Sequence, residues 1–192
     1  MSGDTPIVLV VEDERDLAEL YATWLGGTYR VRTARDGRTA LEQLDDEVRV
    51  VLLDRRMPDL SGDEVLDTIR ERGLDCRVAM VTAVEPDVDV VEMRFDDYLV
   101  KPVSKAELDR TVSNLLIRDE YDDGVQELFS LASKKALLES EQDRAALEDA
   151  DEYQQLLADI DDLRNELDDK LARLAETEDL AMIYQDLDGD DD

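Results

Sequence analysis

Between Ile7 and Leu116 the chain alternates short apolar runs with stretches whose apolar residues recur every three or four positions. Ile7-Val8-Leu9-Val10-Val11 is a continuous β-branched run, the pattern of a strand buried on both faces. Leu17, Leu20, Tyr21, Trp24 and Leu25 follow at helical spacing and stop at Gly26-Gly27. Tyr29 to Ala34 is less apolar and predicts an edge strand; Ala40, Leu41 and Leu44 mark a second helix after Asp36-Gly37. Val48 to Leu53 predicts a third strand, and a helix with Val65, Leu66 and Ile69 runs from Ser61-Gly62 to Gly73. Strands at Val78–Val81 and Tyr98–Val100 flank a weakly helical Val88–Phe95, and Leu108, Val112, Leu115 and Leu116 predict a closing amphipathic helix. Five strands alternating with helices imply a doubly wound parallel sheet, an α/β fold covered on both faces.

After Arg118 no strand-like run appears. Asp122-Asp123-Gly124 predicts a break, followed by two helical stretches parted near Asp149-Ala150-Asp151. The first carries Val125, Leu128, Phe129, Leu131, Ala132 and Leu138. The second spaces Tyr153, Leu156, Ile160, Leu163, Leu167 and Leu174 by threes and fours, with Lys170 in the missing step, which is a heptad seam. An antiparallel helical hairpin or a dimeric coiled coil would bury it. The expected division is 1–118 for the α/β domain, 119–187 for an all-α region and 188–192 for a disordered acidic tail.

Composition narrows the chemistry. Among 192 residues there is no histidine, which excludes a Ser-His-Asp or Cys-His pair, a His-ligated metal and an internal phosphohistidine. Cys76 is the single cysteine, so no internal disulfide forms. The net charge is −30, and residues from Asp119 onward carry 26 acidic against 6 basic groups. Such a surface argues against direct nucleic-acid binding, which requires cations at the phosphates. Seventeen of the 22 basic residues are Arg, and the acidic excess looks like that of proteins from salt-loving archaea, where screening mutes self-repulsion. No stretch reaches the roughly 18 apolar residues of a membrane span, and the short acidic start does not read as a signal peptide; the expected location is cytoplasmic, without membrane contact.

In an open parallel sheet, ligands bind beyond the carboxyl ends of the strands. The residues there are Glu12-Asp13 after the first strand, Asp54 after the third, Thr82 at the fourth and Lys101-Pro102 after the fifth. Crowded carboxylates need something positive among them, and hard oxygen donors with a phosphate suit Mg²⁺. Lys101 can meet a phosphate as a point charge. Taken singly, each residue has a plainer role: Asp54 as a turn residue, Thr82 and Tyr98 as strand-end packing, Lys101 as a solvated lysine.

The segments VVEDE, LLDRRMPDLSG, VTA and DDYLVKP stand at those strand ends in the order found in receiver domains of two-component response regulators, and the chain resembles that family over roughly Pro6 to Leu116. The resemblance implies a flavodoxin-like sheet of order 2-1-3-4-5. It implies that Asp54 accepts a phosphoryl group from a partner sensor histidine kinase, making the chain a phosphoacceptor signalling protein and not an enzyme acting on other substrates. Glu12, Asp13, Asp54 and the backbone carbonyl of Arg56 would hold Mg²⁺, and Thr82 and Lys101 would meet the phosphoryl oxygens. Thr82 and Tyr98 would be switch residues, and Lys101-Pro102 a cis peptide. Against the family pattern, Glu12 replaces a commoner aspartate, Val103 stands where an aromatic is usual, and Thr82 to Lys101 is about one helical turn short.

Two other readings use the same fold. An aspartate-nucleophile phosphatase of the haloacid dehalogenase kind would carry a second aspartate where Arg56 stands, and a pseudo-receiver would bind partners without phosphorylation. Residues 119–192 resemble the HalX domain through FSLASKKALLE and the leucine heptads. Output by protein contact, through a homodimer or a downstream protein, is the expected route; direct control of DNA is the alternative, although only Lys134-Lys135 forms a local basic pair.

Overall fold

The computed structural model describes residues 5–187; the acidic tail expected over 188–192 lies outside the described residues. The chain divides into two units, Met1–Leu116 and Ile117–Asp192.

The first unit is built on five parallel strands: β1 (Ile7–Val11), β2 (Arg30–Ala34), β3 (Val48–Leu53), β4 (Arg77–Thr82) and β5 (Asp97–Val100), in the order β2-β1-β3-β4-β5. The three central strands are the apolar ones and are buried along nearly their whole length, whereas β2 and β5 at the edges are half-exposed. Successive side chains of a strand point to opposite faces, so β1 feeds two cores. Ile7, Leu9 and Val11 pack with Ala40 of α2 (Gly37–Gln43) and with Val65, Leu66 and Ile69 of α3 (Gly62–Glu71). Val8 and Val10 pack with Tyr21 and Leu25 of α1 (Arg15–Leu25) and with Leu108, Val112 and Leu115 of α4 (Lys105–Glu141). Asp36 caps α2 by accepting from the Thr39 N–H, and Ser61 with Glu64 forms a capping box on α3. Between β4 and β5 the weak helical pattern is realised as a single 3-10 segment, Val88–Glu92, which buries none of its residues.

One expectation needs correction. Asp122-Asp123-Gly124 does not interrupt the chain: α4 runs unbroken from Lys105 to Glu141, with residues in both units. The reason lies opposite Gly124, where a Cβ would meet the Leu167 side chain at 2.7 Å. The glycine admits a close helix neighbour instead of ending a helix. The chain turns later, through Gln142-Asp143 and the short α5 (Arg144–Glu148), before α6 (Asp151–Leu187). Of the apolar residues along this stretch, Val125, Phe129 and Ala132 are exposed, and Leu128, Leu131 and Leu138 are half-buried on the side of the buried Gly124.

Within the second unit the two long helices form an antiparallel hairpin. Glu120 pairs with Lys170 at 3.5 Å, Gly124 sits against Leu167, and the Tyr153 hydroxyl donates to Glu139 at 2.8 Å, so positions climb along α4 as they fall along α6. Tyr153, Ile160 and Leu167 are buried, with Leu156 and Leu163 half-buried between them and Lys170 and Leu174 half-buried beyond, which is the seam read from the heptads. Among the described residues no helix is long and apolar enough to cross a membrane.

Candidate functional site

Hydrogen bonding continues one residue beyond the paired strands and lines up their ends. The Asp54 N–H donates to the Val11 carbonyl at 3.0 Å, the Glu12 N–H to Ala34 at 3.0 Å, and the Lys101 N–H to Thr82 at 2.9 Å. Four chemically active residues from four strand ends therefore share one edge of the sheet. Glu12 is 2% exposed, Asp54 7% and Thr82 1%; Asp13 is half-buried.

Glu12, Asp13 and Asp54 each bring a carboxylate oxygen within 4.8 Å of the others, a set that could hold a metal ion. The Lys101 ammonium reaches into the same space, 2.5 Å from Glu12 Oε2 and 3.1 Å from Asp54 Oδ2. Burial pushes the Glu12 carboxyl up to about 7; hydrogen bonds from Lys101 and from the Glu14 N–H pull it down, while the nearby Asp54 charge adds to the rise. Burial pushes the Lys101 ammonium down, but its hydrogen bond to Glu12 and the charge of Asp54 prevail and leave it above its ordinary value. Oxygen donors of this kind fit a small hard cation.

The loop after β3 is shaped by Gly62. Its N–H donates to the Arg55 carbonyl at 2.8 Å, and a Cβ there would lie 2.1 Å from the Asp54 carbonyl oxygen. Only glycine lets the start of α3 approach the Asp54 backbone this closely. The Arg56 N–H donates to Asp54 Oδ1 at 3.4 Å, and the Arg56 side chain is exposed.

Thr82 and Tyr98 meet at Val84. Thr82 Oγ1 accepts from the Val84 N–H at 3.3 Å, and the Tyr98 hydroxyl donates to the Val84 carbonyl at 2.6 Å. Tyr98 also packs on Phe95, ring centroids 5.4 Å apart. The structure thus gathers Glu12, Asp13, Asp54 and Lys101 into one cluster, with Thr82 at the adjoining strand end and Tyr98 one step beyond. The Lys101-Pro102 peptide is cis.

Arg55 was not singled out from the sequence, where one more arginine beside Asp54 carries no distinguishing signal. Its guanidinium lies 3.0 Å from Asp63 Oδ1 and also binds Asp89 of the 3-10 segment. The hydrogen bonds to Asp89 and Asp63, against burial, hold it above its ordinary value.

Residues 8–113 match the response regulator receiver domain. The chain belongs to that family. A HalX domain follows in this receiver protein over residues 117–184. A Haloferax volcanii protein named "Putative transcriptional regulator" is 59% identical over 135 residues, covering 70% of this chain and 23% of that protein. The transcriptional regulatory protein CutR of Streptomyces coelicolor is 43% identical over 106 residues, 53% of this chain and 49% of its own. The chain therefore spans between about a quarter and a half of these relatives. Among solved structures, the response regulator TrrA of Thermotoga maritima in complex with Mg²⁺ and beryllium fluoride is 32% identical with a TM-score of 0.51, covering 57% of this chain and 98% of that one. DrrB, from the same organism, is 29% identical with a TM-score of 0.55, covering 60% and 54%.

Proposed function

We propose that this receiver protein is switched by phosphorylation of Asp54, with a partner sensor histidine kinase as donor. The receiver would occupy residues 1–118 and a helical output region 119–187. The observation that carries the reading is the Lys101 ammonium shared between Glu12 and Asp54 at the sheet's carboxyl edge. An Asp54 carboxylate oxygen attacks phosphorus, the P–N bond to the kinase imidazole breaks, and the bonding pair leaves with the ring nitrogen. Lys101 releases Asp54 Oδ2 and pairs with a phosphoryl oxygen; the Thr82 hydroxyl turns from Val84 toward another. Glu12, Asp13, Asp54 and the Arg56 carbonyl are the oxygen donors for Mg²⁺. Bound there, Mg²⁺ neutralises charge on the transferring group. When Thr82 lets go of the Val84 N–H, the segment that holds the Tyr98 hydroxyl is freed to move, which shifts a two-state equilibrium.

The names of the relatives favour transcription as the destination of the signal. The net charge of −20 from Asp119 onward favours reaching it through another protein, not through DNA phosphates. The test is intact-mass spectrometry after acetyl phosphate treatment in high salt, with and without Mg²⁺. One Mg²⁺-dependent phosphoryl adduct, absent in Asp54→Asn, supports the reading; an adduct that persists in the variant overturns it.

A further inference from the structure

The 3-10 segment Val88–Glu92 is weakly anchored, Val90 alone being half-buried. None of its residues is buried, and Val88 and Val91 are each 83% exposed. Burial of apolar surface, which fixes the other elements of the receiver, does little to fix this one. What reaches it from the sheet edge is Arg55. The guanidinium, 12% exposed, binds Asp89 through Nη2. It is braced from behind by Asp63 of α3, with Nε at 3.0 and 3.2 Å from the two carboxylate oxygens and Nη2 at 3.2 Å from Oδ2. Because Gly62 ties the start of α3 to the Arg55 carbonyl, the brace and the arginine's own backbone move as one piece. Arg55 is also the residue directly after Asp54, its Cα about 3.8 Å along the chain.

We propose that Arg55 is a positioning residue that conveys the state of Asp54 to the Val88–Glu92 segment. In the resting protein it holds the segment through Asp89. A phosphoryl group on the preceding residue brings a charge of roughly −1.5 to −2 and several acceptor oxygens. These compete for the guanidinium against Asp89, a half-exposed carboxylate already screened by solvent. At the same time Thr82 leaves the Val84 N–H, a second attachment of this stretch beside the Tyr98 hydroxyl on the Val84 carbonyl. The Arg55 and Thr82 holds on the stretch from Val84 to Glu92 thus answer to one site. The step involving Asp54 rests on the receiver reading; the resting hold on Asp89 does not.

The test is hydrogen exchange in high salt on the full chain, wild type against Asp89→Asn, a change remote from the acidic cluster. In the resting state the peptide covering 85–93 should exchange about fivefold faster in the variant, the size expected for a well-formed surface ion pair, with β1 and β3 unchanged. Mg²⁺ with beryllium fluoride should raise the wild-type peptide at least to the variant's resting rate, and by a larger factor than it raises the variant, which has only the Thr82 hold left to lose. Arg55→Gln should reproduce the resting effect, which separates loss of the pair from a local effect of the asparagine. Equal resting exchange in wild type and both variants overturns the hold. A variant that still responds fully to beryllium fluoride overturns the coupling, as does an unmoved wild-type peptide when mass spectrometry shows Asp54 phosphorylated. Absence of any adduct on the wild type overturns the receiver reading instead, and the resting comparison then decides the hold alone.

Discussion

The two units solve the burial problem in opposite ways. In the receiver, β1, β3 and β4 each bury side chains on both faces, and α1 to α3 with the start of α4 close the two cores. In the hairpin one seam joins two helices: Tyr153, Ile160 and Leu167 are buried, and most other seam residues are only half-covered. The charge runs the other way, with −10 in the first 118 residues and −20 in the 74 that follow. Where the core is deep, the receiver can place three carboxylates and a lysine at one edge of the sheet. Where it is shallow, the surface has no such freedom, and screening by salt must do part of the holding.

The sharpest way to break this comparison is at the site. Asp54→Asn should lose phosphoryl uptake entirely while its thermal midpoint stays at or above that of wild type, since a crowded charge is removed and the shape kept; circular dichroism checks the fold beside the mass measurement. Unfolding of that variant would show that Asp54 belongs to the scaffold.

Salt should separate the units next. Going from about 1 M to about 0.1 M lengthens the Debye length from roughly 3 to 10 Å. The hairpin should lose helical signal at 222 nm while Trp24, the single tryptophan and a residue of α1, keeps its native emission. Simultaneous loss of both signals would mean that the units do not differ in their need for screening.

A pair of truncations compares the cores directly. Ile69→Ala, fully buried among β-strand side chains, should cost about 2–5 kcal/mol, and Leu163→Ala on the half-covered seam about 1 kcal/mol. Urea titrations followed by Trp24 emission and by circular dichroism would read the two. Equal costs would show that the seam is as deep as the sheet's core.

The smallest effect is in pH. Glu12 is lifted from 4.5 to about 7, so between those values the folded chain keeps a proton that the unfolded chain has released. Without added metal, the stabilisation that Glu12 contributes is fully present below pH 4.5 and is lost as pH rises to about 7, a loss of about 3 kcal/mol. Glu12→Gln should flatten that part of the profile; an unchanged slope would assign it elsewhere.

Most of the sheet was legible because its central strands are largely apolar: Ile7–Val11 and Val48–Leu53 fall where the pattern places them, β2 and β5 differ by one residue at one end, and β4 by one residue at each end. The cluster of Glu12, Asp13, Asp54 and Lys101 was legible because strand ends have known positions in a parallel sheet. Gly124 was not, since a glycine flanked by aspartates has the same sequence signature whether it ends a helix or admits a neighbour; only Leu167 opposite distinguishes the two. Arg55 was hidden because its meaning depends on Asp63 and Asp89, one of them 34 residues away.

Among the described residues the sheet also ends in two strands with no further strand paired beyond them, and in concentrated salt such open borders invite other chains to add on. β2 meets that hazard with ionic groups: Arg30 stands at its start, and Arg32 is engaged by Asp45 at 2.8 Å and Glu47 at 3.0 Å. β5 meets it with brevity, four residues closed by Lys101-Pro102, whose proline offers no N–H to a newcomer. The borders of the sheet thus act as guards against aggregation, at the price of leaving β2 and β5 without the deep cover of the strands between them.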